Sequence, residues 1–164
     1  MVGMEHVWFT AAVETSVAAP TAFGRVVPRD DATLFRRHLG LPGVAGVRDA
    51  TGEWDAPGRQ RTVRLDDGGT FRETLLRYDP EGPERVGHFD YRVTHYTGKL
   101  AHLVDEGIAR WEFRPLARGS LIRWSYGYRP LPRRRFVVER IVGPLWRSYM
   151  RAGLAECARV AEQE

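Results

Sequence analysis

The feature that most constrains this chain is a change of period. From Arg59 to Arg129 apolar side chains recur at every second position in one segment after another. Beyond Pro130 and Pro132 the apolar spacing becomes helical and stays so to the C-terminus. The cleanest alternation is Ser120–Arg129, where Ile122, Trp124, Tyr126 and Tyr128 share one face and Arg123, Ser125 and Gly127 the other. Strands with one apolar face must be covered, and the chain ends in a single long helix that can cover them. No strand–helix–strand alternation argues for a parallel sheet. The order therefore predicts an α+β domain spanning residues 1–164, with a curved antiparallel sheet closed by the last helix.

The remaining elements follow from local signals. Val7, Phe9, Ala11 and Val13 at period two mark a first strand over His6–Val17. Thr21–Val27 and Asp31–Leu39 read as two short helices, the second capped by Asp30 or Asp31 and ended by Gly40 and Pro42. Val44–Asp49 begins a second strand, and Thr51–Gly58 is a turn-rich loop around Trp54. Arg61–Leu65 and Phe71–Tyr78 flank Asp66-Asp67-Gly68, a three-residue hairpin loop with glycine where positive φ is needed. Further strands are expected over Val86–Thr97 and Ile108–Leu116. In the final helix Phe136, Ile141, Leu145, Tyr149, Ala152 and Cys157 fall on one broad stripe. Gly143-Pro144 must kink or break it, because proline lacks a backbone donor.

The hairpin loop sets a register. With three loop residues, Arg64 faces Thr70, Val63 faces Phe71 and Arg61 faces Glu73, which collects Leu65, Val63, Phe71 and Leu75 on one apolar face. A two-residue loop would mix charged and apolar side chains on each face. Arg61 and Glu73 are therefore expected as a cross-strand ion pair on the inward face, at a desolvation cost of several kcal/mol per ion.

Composition excludes several classes. Hydrophobic residues make up 43% and charged residues 28% of 164, the balance of a folded domain. No apolar run approaches the roughly 20 residues of a membrane-spanning helix, and no basic segment precedes Val7–Val13 as a signal peptide requires. A single Cys157 cannot form an internal disulfide, which fits a cytoplasmic location. The net charge is +4, and Lys99 is the only lysine, so the positive charge is arginine, as expected of a GC-rich bacterial coding sequence. Most arginines alternate with apolar residues, as on the wet face of a sheet. Only Arg133–Arg135 is a run, so no specific nucleic-acid partner is expected.

The residues Glu14-Thr-Ser-Val-Ala-Ala-Pro20, Trp54-Asp-Ala-Pro-Gly58 and Arg61-Thr-Val-Arg-Leu-Asp-Asp-Gly68 resemble the helix-grip superfamily called SRPBCC. Tyr91-Arg-Val93, Gly119-Ser-Leu-Ile-Arg-Trp124 and the terminal helix add to the likeness. That superfamily includes START lipid-transfer domains, birch-pollen-allergen-like proteins and polyketide cyclase/dehydratase-like proteins, and the last branch is the most similar. The resemblance implies seven strands gripping the last helix, two short helices and a cavity for a hydrophobic or lipid-like ligand. One scaffold hosts carriers, cyclases and sensors, so it does not fix the activity.

Candidate site residues follow from parity. Tyr91, Trp111, Trp124 and Tyr126 belong to inward faces, where large aromatics either fill a core or line a pocket. Glu73 shares the face of Phe71 and Leu75 and is the strongest polar candidate, with Arg61 opposite. His95 shares parity with Tyr91 and Val93 and is either a pocket base or donor or a surface histidine. Trp54 sits at the pocket mouth or anchors its own loop. The five histidines lack metal-ligand spacing, so no metal is expected, and no motif calls for a cofactor. Three functions fit: binding or transport of an aromatic or polyketide-like molecule, an aromatase/cyclase or dehydratase whose protons are handled by Glu73, Arg61, His95 or a tyrosine, and a protein-interaction module. The oligomeric state is not set by the sequence.

Overall fold

The computed structural model describes residues 5–163. Strand β1 (Val7–Thr15) leads into helices α1 (Ala19–Val26) and α2 (Asp31–Leu34). Six strands follow: β2 (Val44–Arg48), β3 (Gln60–Leu65), β4 (Thr70–Asp79), β5 (Gly87–Thr94), β6 (Val104–Pro115) and β7 (Ser120–Pro130). A helical turn α3 (Arg135–Val137) and a π turn (Val138–Val142) lead into α4 (Gly143–Ala161). The strands form one antiparallel sheet in the order β1-β7-β6-β5-β4-β3-β2, so the chain's first strand closes against its last. This is the helix-grip arrangement: a curved seven-stranded sheet, two short helices, and a long C-terminal helix on the apolar face.

Period-two patterning decides which face is buried. Val7 and Phe9 on β1, Tyr91 and Val93 on β5, Trp111 and Phe113 on β6, and Ile122, Trp124, Tyr126 and Tyr128 on β7 are all buried. The opposite face carries the alternating arginines, among which Arg92 and Arg129 reach Glu106 while Arg114 and Arg123 reach Glu112. The β3–β4 hairpin has the register the loop dictates, with Arg64 opposite Thr70, Val63 opposite Phe71 and Arg61 opposite Glu73. Gly68 takes φ +90°, and the Asp67 carboxylate accepts the Gly69 N–H at 2.8 Å.

Three expectations need correction. The second helix stops at Leu34 rather than Leu39, since Phe35 leaves helical geometry and Leu39 and Gly40 both take positive φ. The alternation of β4 is interrupted by a bulge between Leu75 and Arg77. The extra residue turns Tyr78 inward, against Phe23 and Phe89, although its parity assigns it to the face of Arg72 and Thr74. The apolar stripe of the last helix is also displaced. Phe136 and Ile141 are 68% and 57% exposed, and the buried positions are Val138, Gly143, Tyr149, Met150, Gly153, Leu154, Cys157, Val160 and Ala161.

The irregularity at Gly143-Pro144 is a π turn, not a break. Gly143 N–H donates to the Val138 carbonyl, five residues back, and the backbone stays right-handed through Val142 and Gly143. Because Pro144 has no N–H, a wider turn directly before it relieves the clash its ring makes in a regular helix. A Cβ on Gly143 would lie 2.9 Å from the Phe9 ring, so glycine lets the helix sit close on β1.

Gly119 and Gly24 predict opposite outcomes on substitution. Gly119 in the β6–β7 turn has φ +70°, and a Cβ there would meet the Thr15 carbonyl oxygen. Gly119→Ala is expected to cost about 2 kcal/mol or more, read as a lower midpoint in thermal or denaturant unfolding. Gly24, exposed on α1, has open space around it, so Gly24→Ala should stabilise by about 0.5–1 kcal/mol. Equal midpoints for the two variants would contradict both assignments.

Candidate functional site

Helix α4 packs chiefly on β1 and also on β7, and α1 reaches β6 and β5, which leaves β3 and β4 without close helix cover. There the sheet and helix stand apart around a cavity of about 240 Å³. Its sheet wall is Val63, Phe71, Glu73, Tyr91, Trp124 and Tyr126. Val142, Trp146 and Tyr149 form the helix wall, and Phe35, Leu41, Leu100 and Leu103 complete the apolar lining from the segments between. Gly40, Asp67, Thr97 and Lys99 are the exposed members of the lining and mark the mouth.

The aromatic walls are braced from behind. Trp124 stacks on Trp111 with centroids 4.6 Å apart and an interplanar angle of 17°. Trp146 stacks on Tyr149 at 5.0 Å, and Tyr149 stacks on Phe35 in turn. The indole N–H groups of Trp124 and Trp146 are buried with no hydrogen-bond partner among the described residues. Burial lifts the phenols of Tyr91, Tyr126 and Tyr128 well above their usual range, so all three are neutral donors at neutral pH. Strand β6 comes so near that a Cβ on Gly107 would lie 2.6 Å from the Tyr96 hydroxyl and 2.9 Å from that of Tyr126. Only glycine leaves these hydroxyls their place.

The polar feature of the cavity is a buried triad. Arg61 Nε donates to Glu73 Oε1 at 2.7 Å, and Arg61 Nη2 donates to Asp31 Oδ2 at 2.6 Å. Local sequence supplies each member. The hairpin register places Arg61 opposite Glu73, while Asp30 caps α2 by accepting the Ala32 N–H at 3.0 Å, which leaves the Asp31 side chain free to reach β3. Glu73 and Asp31 border the cavity, and Arg61 lies behind them with its guanidinium carbon 4.2 Å from the Trp54 ring centre.

Two carboxylates share one guanidinium here, in surroundings that disfavour charge. Burial is the largest influence on Glu73 and, with Asp31 nearby, raises its pKa to about 7 against the opposing pull of Arg61. Burial raises Asp31 as well, again opposed by Arg61. Desolvation pulls the Arg61 value down, but Glu73 and Asp31 outweigh it and the net shift is upward, so Arg61 stays charged. The triad therefore holds one fixed cation and two carboxyl groups that resist being ionised together.

Tyr91, Trp124, Tyr126 and Glu73 line the same cavity. Arg61 joins them through Glu73 but borders a second, more open cleft of about 540 Å³, formed with Trp54, Asp30, Asp31 and Tyr78. Trp54 is half-buried on Phe89 and Tyr91, so it packs down on the sheet beside Arg61 rather than at the mouth of the aromatic cavity. Trp111 is buried behind Trp124 and does not reach the lining. His95 is exposed: β5 ends at Thr94, and the positive φ of His95 breaks the parity that would turn it inward. The next residue, Tyr96, enters instead and packs on Phe71. Asp31, Phe35, Tyr96, Trp146 and Tyr149 form parts of the site that strand parity alone did not single out. A helical stripe starting from Val138 and continuing through Val142 and Trp146 would have found the helix wall. Among the described residues no group of three or more His, Cys, Asp or Glu side chains is placed to hold a metal ion, and no helix is long and apolar enough to cross a membrane.

Comparison with curated proteins returns no match. Solved structures do match. The protein XoxI from Bacillus cereus is 14% identical with a TM-score of 0.67, covering 93% of this chain and 94% of that one. Major latex-like protein 151 from Panax ginseng is 12% identical with a TM-score of 0.67, covering 97% and 99%. The di-domain ARO/CYC BexL of the BE-7585A biosynthetic pathway is 17% identical with a TM-score of 0.62; the match takes in 98% of this chain and 51% of that one. At such identities these likenesses show the fold alone. A family profile described as polyketide cyclase/dehydrase and lipid transport matches residues 9–162, from the first strand to the end of the last helix, and the chain belongs to that family.

Proposed function

We propose that this protein binds a hydrophobic, aromatic small molecule in the cavity between the sheet and the C-terminal helix. The observation that carries this reading is the make-up of one enclosed wall. Tyrosine, tryptophan and aliphatic side chains surround a chamber whose lining includes the buried carboxyl of Glu73. Ligand sites are mostly apolar with a few placed polar groups, and this chamber has that composition. A cavity of roughly 150 Å³ accepts benzene. By that measure the 240 Å³ here suits about two fused rings. Membership of a family that includes polyketide cyclases and lipid-transport proteins supports a ligand of this kind.

A second reading, a cyclase or dehydratase acting on a poly-keto substrate, is favoured by one specific observation. Glu73, with its pKa raised to about 7, exchanges a proton at neutral pH, as a general acid or base must. Arg61 would hold that carboxyl in place, and the neutral tyrosines Tyr91 and Tyr126 would donate to substrate carbonyls. His95, exposed on the outer side of its turn, has no part in this scheme.

Three outcomes test these readings. An environment-sensitive dye should bind the purified protein and be displaced by flat polycyclic phenols, with a shift in tryptophan emission because Trp124 and Trp146 line the cavity. A folded protein that responds to no member of a broad apolar panel would count decisively against ligand binding. For the enzymatic reading, a poly-β-keto thioester mimic should be turned over, and Glu73→Gln should cost roughly 100-fold or more in rate while binding persists. Binding without turnover by the unaltered protein would leave the carrier reading standing alone.

The third outcome concerns pH. The folded pKa of Glu73, about 7, lies above the ordinary carboxylate value of 4.5, so the folded state holds more protons than the unfolded state between them. Stability therefore falls as pH rises from 4.5 toward 7 and levels off above, a loss of roughly 3 kcal/mol at most from this group. Denaturant titrations across that window should show the decline, and Glu73→Gln should flatten it. An unchanged slope in the variant would place the buried proton elsewhere.

A further inference from the structure

The polar end of the cavity sets two carboxyl groups against one cation, and that ratio selects among aromatic ligands. Arg61 gives one bond to each carboxylate, to Glu73 Oε1 and Asp31 Oδ2. The second oxygens, Glu73 Oε2 and Asp31 Oδ1, have no hydrogen-bond partner among the described residues. The Glu73 side chain is only 5% exposed and borders the cavity, whereas Arg61 stands on the far side against Trp54. A ligand in the chamber therefore meets acceptor oxygens, with the neutralising cation behind them.

We propose, building on the ligand-binding reading above, that the cavity takes an aromatic ligand carrying a protonated amine, with the ammonium between Glu73 and Asp31 and the rings against Trp124, Tyr126 and Trp146. With Arg61 as their one shared cation the two carboxyls resist being ionised together; an ammonium brings the second positive charge that lets both ionise, and donates to both free oxygens in charge-assisted bonds, which are the strong ones. A ligand carboxylate at the same place would add a third negative group to a buried site, the costliest arrangement available. The other charged groups around the triad do not reverse this. Asp30 adds negative charge beside Asp31, Tyr91 is a neutral phenol, and Asp67 and Lys99 stand at the exposed mouth. Lys99 is the one cation of the cavity lining, and being exposed it is screened by solvent.

The test uses three probes of one shape: 2-(2-naphthyl)ethylamine, 2-(2-naphthyl)ethanol and 2-naphthylacetate. Their affinities are measured by calorimetry or dye displacement at about pH 7.5, where the amine is cationic and the acid anionic. The amine is expected to bind at least roughly tenfold tighter than the alcohol, and the acetate weakest, the scale of a charge-assisted hydrogen bond. In Glu73→Gln and in Asp31→Asn the amine preference should fall by about tenfold, with the alcohol changed by less than about threefold. Equal affinities for the three probes, or tightest binding of the acetate, would overturn the proposal and leave the aromatic cavity intact as a binding site. If no probe binds the folded protein, the ligand-binding reading fails, and this one with it. Should either variant fail to fold, the ranking on the unaltered protein decides the question alone.

Discussion

One helix has to cover the apolar face of seven strands, and it is too narrow to do so. A helix with its side chains is about 10–12 Å across, whereas neighbouring strands are spaced about 4.8 Å apart, so a single helix shields two or three of them. Here α4 lies along β1 and β7, with α1 beside it. Helix α1 reaches β6 and β5, and the rest of the inward face, chiefly β3 and β4, must be closed by loops, by the short α2 and by its own large side chains. Aromatic residues bridge most of that gap, and what they leave open is the cavity. The chamber is thus a consequence of sheet width.

The same geometry explains why an ion triad survives in an apolar face. Two carboxyls and a guanidinium are costly to bury, and hydrophobic replacements of equal volume are often neutral or stabilising. This triad sits where helix cover is missing, between the aromatic cavity and the cleft at Trp54, so it is walled by side chains instead of by a packed helix. Trp54 shields Arg61 on one side, and the cap at Asp30 aims Asp31 at it from the other. Asp30 and Asp31 divide two tasks that either could perform. Had Asp31 been the cap, Glu73 alone would pair with Arg61 and the charge would balance.

Much of this was legible in the sequence because it depends on period two and on one turn. Loop length and the apolar face together determine the Arg61–Glu73 pairing, and both are local signals. The cavity aromatics of β5 and β7 were visible for the same reason. What escaped were departures from period. A single inserted residue in β4 turns Tyr78 inward, and a single positive φ at His95 sends that histidine out and Tyr96 in. Neither leaves a mark in the alternation, because Leu76 and Tyr96 are both residues a strand accepts on either face. Asp31 escaped for another reason: its partner lies 30 residues away, and adjacent aspartates are equally good caps.

The helix wall shows how a site can run across a local defect. A π turn adds one residue to the helix, which advances every preceding position by about 100° relative to a regular α-helix. A stripe projected back from Tyr149 at 3.6 residues per turn still falls on Val142 and then Val138, and the structure places Val142 in the cavity lining, buries Val138 and leaves Ile141 exposed. Pro144 is the cause of the π turn, since it denies Arg140 its helical donor and a wider turn relieves the crowding. Val142 and Trp146 sit on either side of Gly143-Pro144 and both face the cavity. Val142 and Trp146, four residues apart, share one helix face, and Trp146 is held there by stacking on Tyr149 and through it on Phe35. The helix wall is thus held by the stacking of Trp146 and Tyr149, and the irregularity at Gly143-Pro144 lies within that wall without turning Val142 away from the cavity.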